Sequence, residues 1–389
     1  MTAHVNPQIS AAERAVPFER VVLVLQGGGA LGAYQAGVYE ALAEAGINLN
    51  WIAGVSIGAI NAAIIAGNAP EKRVDRLREF WTNITSYAPW PAVDQARMGL
   101  VRGDHSRTLF NLASANLALM RGAQGFFSPR LISPCFQPSG TIEATSFYDT
   151  AELRRTLERL VDFDRLKSGT TRLSIGAVNV RTGNFVYFDT TTHTIGPRHI
   201  MASGALPPAM PAIEIEGEHY WDGGLVSNTP LEWVIDCEDP RDTLAFQVDL
   251  WNCRGDFPRD IADVMTRQKE ILYSSRTRAG TDEFKHIHRL KYAVAGLLEK
   301  LPNDLKASEE AKLLSTTADR AVYNIVHLIY RAKNYEGHSK DYDFSRLSMQ
   351  EHWRAGYYDA QRTIRHRKVL ERPKDHEGVV TFDFGQSWS

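Results

Sequence analysis

Gly54-Val55-Ser56-Ile57-Gly58-Ala59-Ile60-Asn61 is the stretch that decides how this chain is read. An apolar run from Ile47 to Ala53 leads into it, and a small-residue run from Ile57 to Ile65 leaves it. That succession predicts a strand, a sharp turn and a helix, with Ser56 at the corner of a G-x-S-x-G elbow. The flanking glycines let backbone approach backbone in a tight turn. The helix start aims its amides and its positive dipole end back at the hydroxyl. A serine so placed is a candidate nucleophile, although the same eight residues alone also describe an ordinary glycine-flanked turn.

Upstream, Val21 to Leu25 is a run of five apolar residues, the pattern of a parallel strand buried on both faces. It breaks off in Gln26-Gly27-Gly28-Gly29, and Leu31, Tyr34, Val38, Leu42 and Ala45 then recur at helical spacing up to Gly46. Gly27, Gly29 and Gly32 also spell the G-x-G-x-x-G fingerprint of dinucleotide sites. That reading requires an acidic residue about 20 positions on to hold the ribose, and none lies between Glu44 and Glu71. The glycine amides are better understood as an oxyanion hole.

Downstream, Pro70 opens an amphipathic helix through Val74, Leu77, Phe80 and Trp81. Residues 84–145 then form a loop-rich insertion containing Gly125-Phe126-Phe127-Ser128-Pro129, for which a lid or acyl-chain wall competes with a satellite cluster packed on the core. Asp149 and Glu152 begin a helix through Leu160. Hairpins are predicted around Arg181-Thr182-Gly183 and around Gly217, the second delivering Asp222-Gly223-Gly224. Thr243 to Trp251 reads as a core strand, and Pro258 opens a helix closing near Gly280. From Tyr292 onward, residues such as Val322, Ile325, Val326 and Ile329 fit a helical spacing.

The 389 residues carry 44 basic and 46 acidic side chains, a net charge of −2 that excludes nucleic acid as an evident partner. Cys135, Cys237 and Cys253 are odd in number and lack metal-ligand spacing, so neither a disulfide framework nor a metal site is expected. The first twenty residues show no secretory h-region and no run is long enough to span a bilayer. The expectation is a cytoplasmic protein with a flexible tail over residues 1–18.

Taken together, Gly27-Gly28-Gly29-Ala30-Leu31-Gly32, Gly54-Val55-Ser56-Ile57-Gly58 and Asp222-Gly223-Gly224, with Asn228 and Pro230 following, resemble the patatin-like phospholipase family. Ala202-Ser203 with Pro207 and Pro211 is similar to that family's segment before the aspartate. The resemblance covers about residues 20–275, and the tail beyond is similar to an extension found in a bacterial branch. It implies a three-layer α/β/α sandwich with a mostly parallel central sheet and a helical C-terminal extension. The catalytic domain would occupy residues 19–285 and the extension residues 286–389. It further implies a Ser56–Asp222 dyad, an oxyanion hole from Gly27, Gly28 and Gly29, and structural roles for Gly32, Gly54, Gly58, Gly223 and Gly224. No metal or organic cofactor is implied. The partners would be a lipid or acyl-ester substrate and, transiently, a membrane surface, with the tail a candidate for homo-oligomer contacts. One departure stands out: Leu31 occupies a position where the family usually carries Arg or Lys, so help to an anionic headgroup from that position is missing.

Two other readings compete. A Ser-His-Asp triad of the α/β-hydrolase type would recruit His219, His286 or His288, but Ser56 follows the glycine loop too closely for that topology. A non-catalytic partner-binding protein on the same fold is disfavoured because every dyad motif residue is present.

Overall fold

The computed structural model describes residues 16–85, 103–237, 239–274, 277–373 and 378–384. The expected tail thus lies mostly outside the described residues, as does the 86–102 part of the insertion.

A nine-stranded sheet organises the chain. In chain order its strands are β1 (Arg20–Leu25), β2 (Trp51–Val55), β5 (Arg172–Asn179), β6 (Phe185–Asp189), β7 (Ile213–Ile215), β8 (Glu218–Asp222), β9 (Thr243–Asp249), β10 (Tyr323–Ile329) and β11 (Val379–Asp383). The remaining two, β3 (Ser128–Pro129) and β4 (Tyr148–Asp149), form a two-residue ladder apart from it. Across the sheet the order is β11-β10-β9-β1-β2-β5-β8-β7, with β6 also paired to β5. The pairs from β11 through β5 are parallel, whereas β6, β8 and β7 join antiparallel.

Helices cover both faces because the strand side chains alternate. Val21, Leu23 and Leu25 enter one core. They share it with α1 (Ala33–Glu44), α2 (Ile57–Ala66), α3 (Pro70–Ile84) and α13 (Arg346–Arg365). Val22 and Val24 enter a second core with Leu231, Val234 and Ile235 of α8 (Leu231–Ile235) and Phe284 of α10 (Thr277–Lys300). This is the expected three-layer sandwich with a mostly parallel sheet. The other helices are α4 (Asp104–Arg121), α5 (Ala151–Leu160), α6 (Phe163–Lys167), α7 (Pro197–Ser203), α9 (Ile261–Tyr273), α11 (Asn303–Lys306) and α12 (Glu309–Thr317).

Two local readings need correcting. Helix α9 ends at Tyr273, and Gly280 lies inside α10. Val322 to Ile329 is not helical: β10 spans Tyr323–Ile329, pairs in parallel with β9, and β11 pairs with β10 in turn. The segment after residue 286 is largely helical, but it also supplies these two strands to the common sheet. Its helix α13 packs backbone against backbone on α1. A Cβ on Gly37 would lie 1.9 Å from the Trp353 carbonyl oxygen, and one on Gly356 would lie 2.0 Å from that of Tyr34. Within the described part of the insertion, Phe126 and Phe127 are buried in the first core against Phe80, Tyr148 and Phe344.

Candidate active site

Strand pairing explains how two residues remote in sequence meet. β2 runs along one edge of β5 and stops with Val55 opposite Gly176. β6 takes the other edge, pairing Ser174 to Val178 with Asp189 to Phe185. β8 therefore continues the first edge, antiparallel, with Asp222 opposite Ala177. β2 and β8 thus meet head-on at their C-terminal ends, Ser56 leaving one and Asp222 ending the other.

Ser56 sits at φ 57°, ψ −126°, a backbone conformation that non-glycine residues rarely adopt. Packing imposes it. A Cβ on Gly54 would lie 2.4 Å from the Gly58 carbonyl oxygen, and one on Gly58 would lie 2.3 Å from that of Leu25. The Ser56 amide donates to Ser203 Oγ at 2.9 Å, and Ser203 donates in turn to the Gly176 carbonyl at 2.6 Å. Helix α2 starts directly at Ile57, so its positive end faces the serine.

Asp222 is buried, and desolvation pushes its carboxyl from the ordinary range up to about 7. The nearby Ser56 side chain and the Gly224 amide, which donates to the Asp222 carboxylate at 2.7 Å, oppose that rise. Burial prevails because only these two groups offset the lost hydration. Burial thus favours a carboxyl able to exchange its proton near neutrality, beside an alcohol.

The glycine loop lies directly over the serine: a Cβ on Gly27 would lie 3.0 Å from Ser56 Cβ. Of the three amides expected to form the oxyanion hole, Gly27's is already engaged, donating to the Asn228 carbonyl at 3.2 Å. The amides of Gly28 and Gly29 find no acceptor among the described residues. Asn228 locks the loop further, donating Nδ2 to the Gly27 carbonyl at 3.1 Å and to that of Tyr273 at 2.8 Å. Gly223 and Gly224 are required by close approach, the first to the Gly176 carbonyl and the second to Asn228. Gly32 packs on Ile57 and Trp81.

Several supporting residues escaped the sequence reading. Gln26 accepts from the amides of Leu250 and Trp251 at 2.6 and 2.9 Å, and Trp251 Nε1 donates to the Gly27 carbonyl at 3.0 Å. Asn61 donates to the Gly32 carbonyl and to Gln35, while Trp81 donates to Asn61. A buried amide at the end of a strand and an Asn within an apolar helix were the available signals, since neither is placed there without partners.

The histidine alternatives are not assembled. His219 and His286 are exposed. His288 is buried beside Asp319, Phe284 and Tyr323. Among the described residues none of the three hydrogen-bonds Ser56, and no cluster of His, Cys, Asp or Glu could hold a metal. A cavity of about 440 Å³ between α1, α3 and α13, lined by Glu40, Arg78, Trp353 and Tyr357, contains neither Ser56 nor Asp222.

Among known proteins, a family model described as patatin-like phospholipase matches residues 23–235, and a second described as patatin phospholipase matches residues 271–376. Lysophospholipase nte1 of Aspergillus terreus (strain NIH 2624 / FGSC A1156) is 57% identical over 49 residues, which is 13% of this chain and 3% of that protein. VipD from Legionella pneumophila is 13% identical with a TM-score of 0.39, covering 90% of this chain and 66% of its own. The ExoU–SpcU complex of Pseudomonas aeruginosa is 16% identical with a TM-score of 0.35, covering 90% and 52%. This chain therefore spans a small fraction of the curated relative and about half to two thirds of the solved ones. The first family model spans more than half of the chain and takes in the glycine loop, the serine elbow and Asp222, so the chain belongs to the patatin-like phospholipase family.

Proposed function

We propose that this chain is a serine acyl-ester hydrolase that cleaves a lipid ester through the Ser56–Asp222 dyad. One observation carries the reading: β2 and β8 meet end to end on one edge of β5, which sets the buried Asp222 carboxyl beside a serine held at positive φ on a strand-to-helix elbow. Ionised Asp222 takes the Ser56 proton as Oγ bonds to the ester carbonyl carbon. The carbonyl oxygen gains the negative charge and receives the amides of Gly28 and Gly29, each donor worth about 3 kcal/mol. Collapse breaks the bond to the alcohol, which leaves with the proton held by Asp222. Water then attacks the acyl-enzyme, giving its proton to Asp222, and Ser56 recovers it as the acid departs. These steps need no metal or organic cofactor.

Within ester hydrolysis, a lysophospholipid is the substrate we favour, on the name carried by the matched relative. Leu31 is buried and uncharged, so the glycine loop offers no cation to an anionic headgroup. Leu225 and Val226, just after Asp222, are exposed, as are Ile261, Val264, Ile271 and Leu272 on α9, an apolar rim suited to transient contact with a lipid surface. No helix among the described residues is long and apolar enough to cross a membrane. The three free thiols, Cys135 exposed among them, fit a reducing compartment, and a cytoplasmic location is part of this proposal.

The test is covalent labelling of Ser56 by a fluorophosphonate probe, with the labelled peptide identified by mass spectrometry. Hydrolysis of lysophospholipid, phospholipid and short-chain esters is measured alongside, in wild type and Ser56→Ala. Labelling and hydrolysis that both vanish in the variant support Ser56 as the nucleophile. A folded wild type that neither labels nor hydrolyses would instead be a partner-binding member of the family.

A further inference from the structure

Outside the dyad, two consecutive residues of α9 face two consecutive residues of the Lys340–Tyr342 turn in crossed ion pairs. Lys269 Nζ donates to both carboxylate oxygens of Asp341, at 2.8 and 2.9 Å. Lys340 Nζ donates to Glu270 Oε1 at 2.8 Å. The Lys340 side chain is only 3% exposed and that of Glu270 15%. An ammonium that far out of water is costly unless its partner is fixed. Lys269 also donates to the His338 carbonyl at 2.9 Å, and each ammonium lies over an aromatic ring, Lys269 over Tyr342 and Lys340 over Trp251. The turn therefore has one place to sit.

That place is against the back of the glycine loop. The Asp341 carbonyl oxygen is so close to Gly29 that a Cβ there would lie 2.1 Å from it. Trp251, under the Lys340 ammonium, donates to the Gly27 carbonyl, and with Leu250 it fills the space that a Cβ on Gly28 would need. The three glycines are thus backed from two segments, 250–251 and 340–341. Helix α9 closes the circuit through the Tyr273 carbonyl, which accepts from Asn228, the residue that also holds Gly27.

The geometry points to the crossed pairs Lys269–Asp341 and Glu270–Lys340 as positioning elements for the Gly28 and Gly29 amides. They touch no substrate. They fix where the loop's donors stand when the oxyanion forms, which makes a segment remote from the three motifs part of the working site. This inference rests on the ester-hydrolase reading.

The test uses the full chain and four variants: Lys269→Asp, Asp341→Lys, the double swap of both, and Lys312→Glu, which breaks an exposed pair with Glu309 within α12. For each, kcat, KM, the rate of Ser56 labelling by a fluorophosphonate and the melting temperature are measured. The single variants are expected to lose about 10- to 100-fold in kcat and in labelling rate with KM changed less than about 2-fold, the signature of misplaced transition-state donors. The double swap restores at least a third of wild-type kcat, and Lys312→Glu equals wild type. Folded single variants with wild-type kcat overturn the proposal, as does a folded double swap as slow as the singles. Failure of the single and double variants to fold also overturns it, since the pairs would then serve folding. An unlabelled, inactive wild type instead strikes the underlying hydrolase reading, so the two failures are told apart.

Discussion

Replacing Asp222 by Asn tests the central pair through two independent readouts. Asn is isosteric, keeps an oxygen for the Gly224 amide, and cannot ionise. In the fold the carboxyl is raised from 3.8 to about 7 by burial. The unfolded chain releases the Asp222 proton near pH 4, whereas the folded chain holds it until about 7. Between these values the unfolded state binds fewer protons, so the Asp222 contribution to stability is fully present below pH 4 and is lost as pH rises through 7. The folded and unfolded carboxyls differ by about three in pKa, and at about 1.4 kcal/mol per tenfold change in acidity the full effect is roughly 4 kcal/mol. The range from about pH 5 to pH 8 samples about two thirds of it, or about 3 kcal/mol. For 389 residues the unfolding entropy is about 0.8 kcal/mol/K, so this corresponds to roughly 4 °C in melting temperature.

The assay is calorimetric melting of both proteins across that pH range. The melting temperature of Asp222→Asn should climb relative to wild type by roughly 4 °C from pH 5 to pH 8, while its kcat falls about 10²- to 10⁴-fold for want of the base. Parallel melting curves would mean that Asp222 titrates low, in contact with water, and the argument from desolvation would be wrong. An Asn variant keeping a tenth of wild-type activity would remove the carboxylate from the mechanism even if the melting curves behaved.

Wild-type kcat/KM should rise with pH to a plateau above an apparent pKa near 7, since the ionised carboxylate is the active form; a flat profile from pH 5 to pH 8 contradicts this. Ser56→Gly should abolish probe labelling yet raise stability by about 1 kcal/mol, because glycine meets φ 57° without strain; thermal melting measures it. Ser203→Ala leaves the Ser56 amide and the Gly176 carbonyl without their partner, a loss of about 1–3 kcal/mol in denaturant titration, with slower labelling of Ser56.

How much of this was legible in the sequence depended on whether a residue's reason was local. Gly54 and Gly58 are demanded by contacts within one elbow and beside it, so the G-x-S-x-G spacing was enough to find them. The hairpin that ends at Asp222 was likewise written in alternating residues around Gly217, which sits at φ 82°. Val322 to Ile329 misled because an interior parallel strand is buried on both faces and loses its period of two. What remains is an apolar run whose members can be picked out at helical spacing as readily as at any other. The covering strand β11 and the neighbour β9 come from other parts of the chain.

The Gly27 amide shows the same limit at atomic scale. Its acceptor is the carbonyl of Asn228, and a main-chain oxygen carries no sequence signature. Lys269, Glu270, Lys340 and Asp341 read as ordinary solvated charge until the turn that bears two of them is set against the loop. What decides the site is therefore the shared edge of β5. Because β6 occupies its opposite side, the only continuation left beyond Val55 is β8, and that pairing delivers a carboxylate to the serine with no histidine between them. In the proposed mechanism a proton passes directly from alcohol to carboxylate, and desolvation is what makes that carboxylate basic enough to take it. On that proposal the burial of Asp222 is part of the chemistry, and the stability it costs at neutral pH is the measurable trace of it.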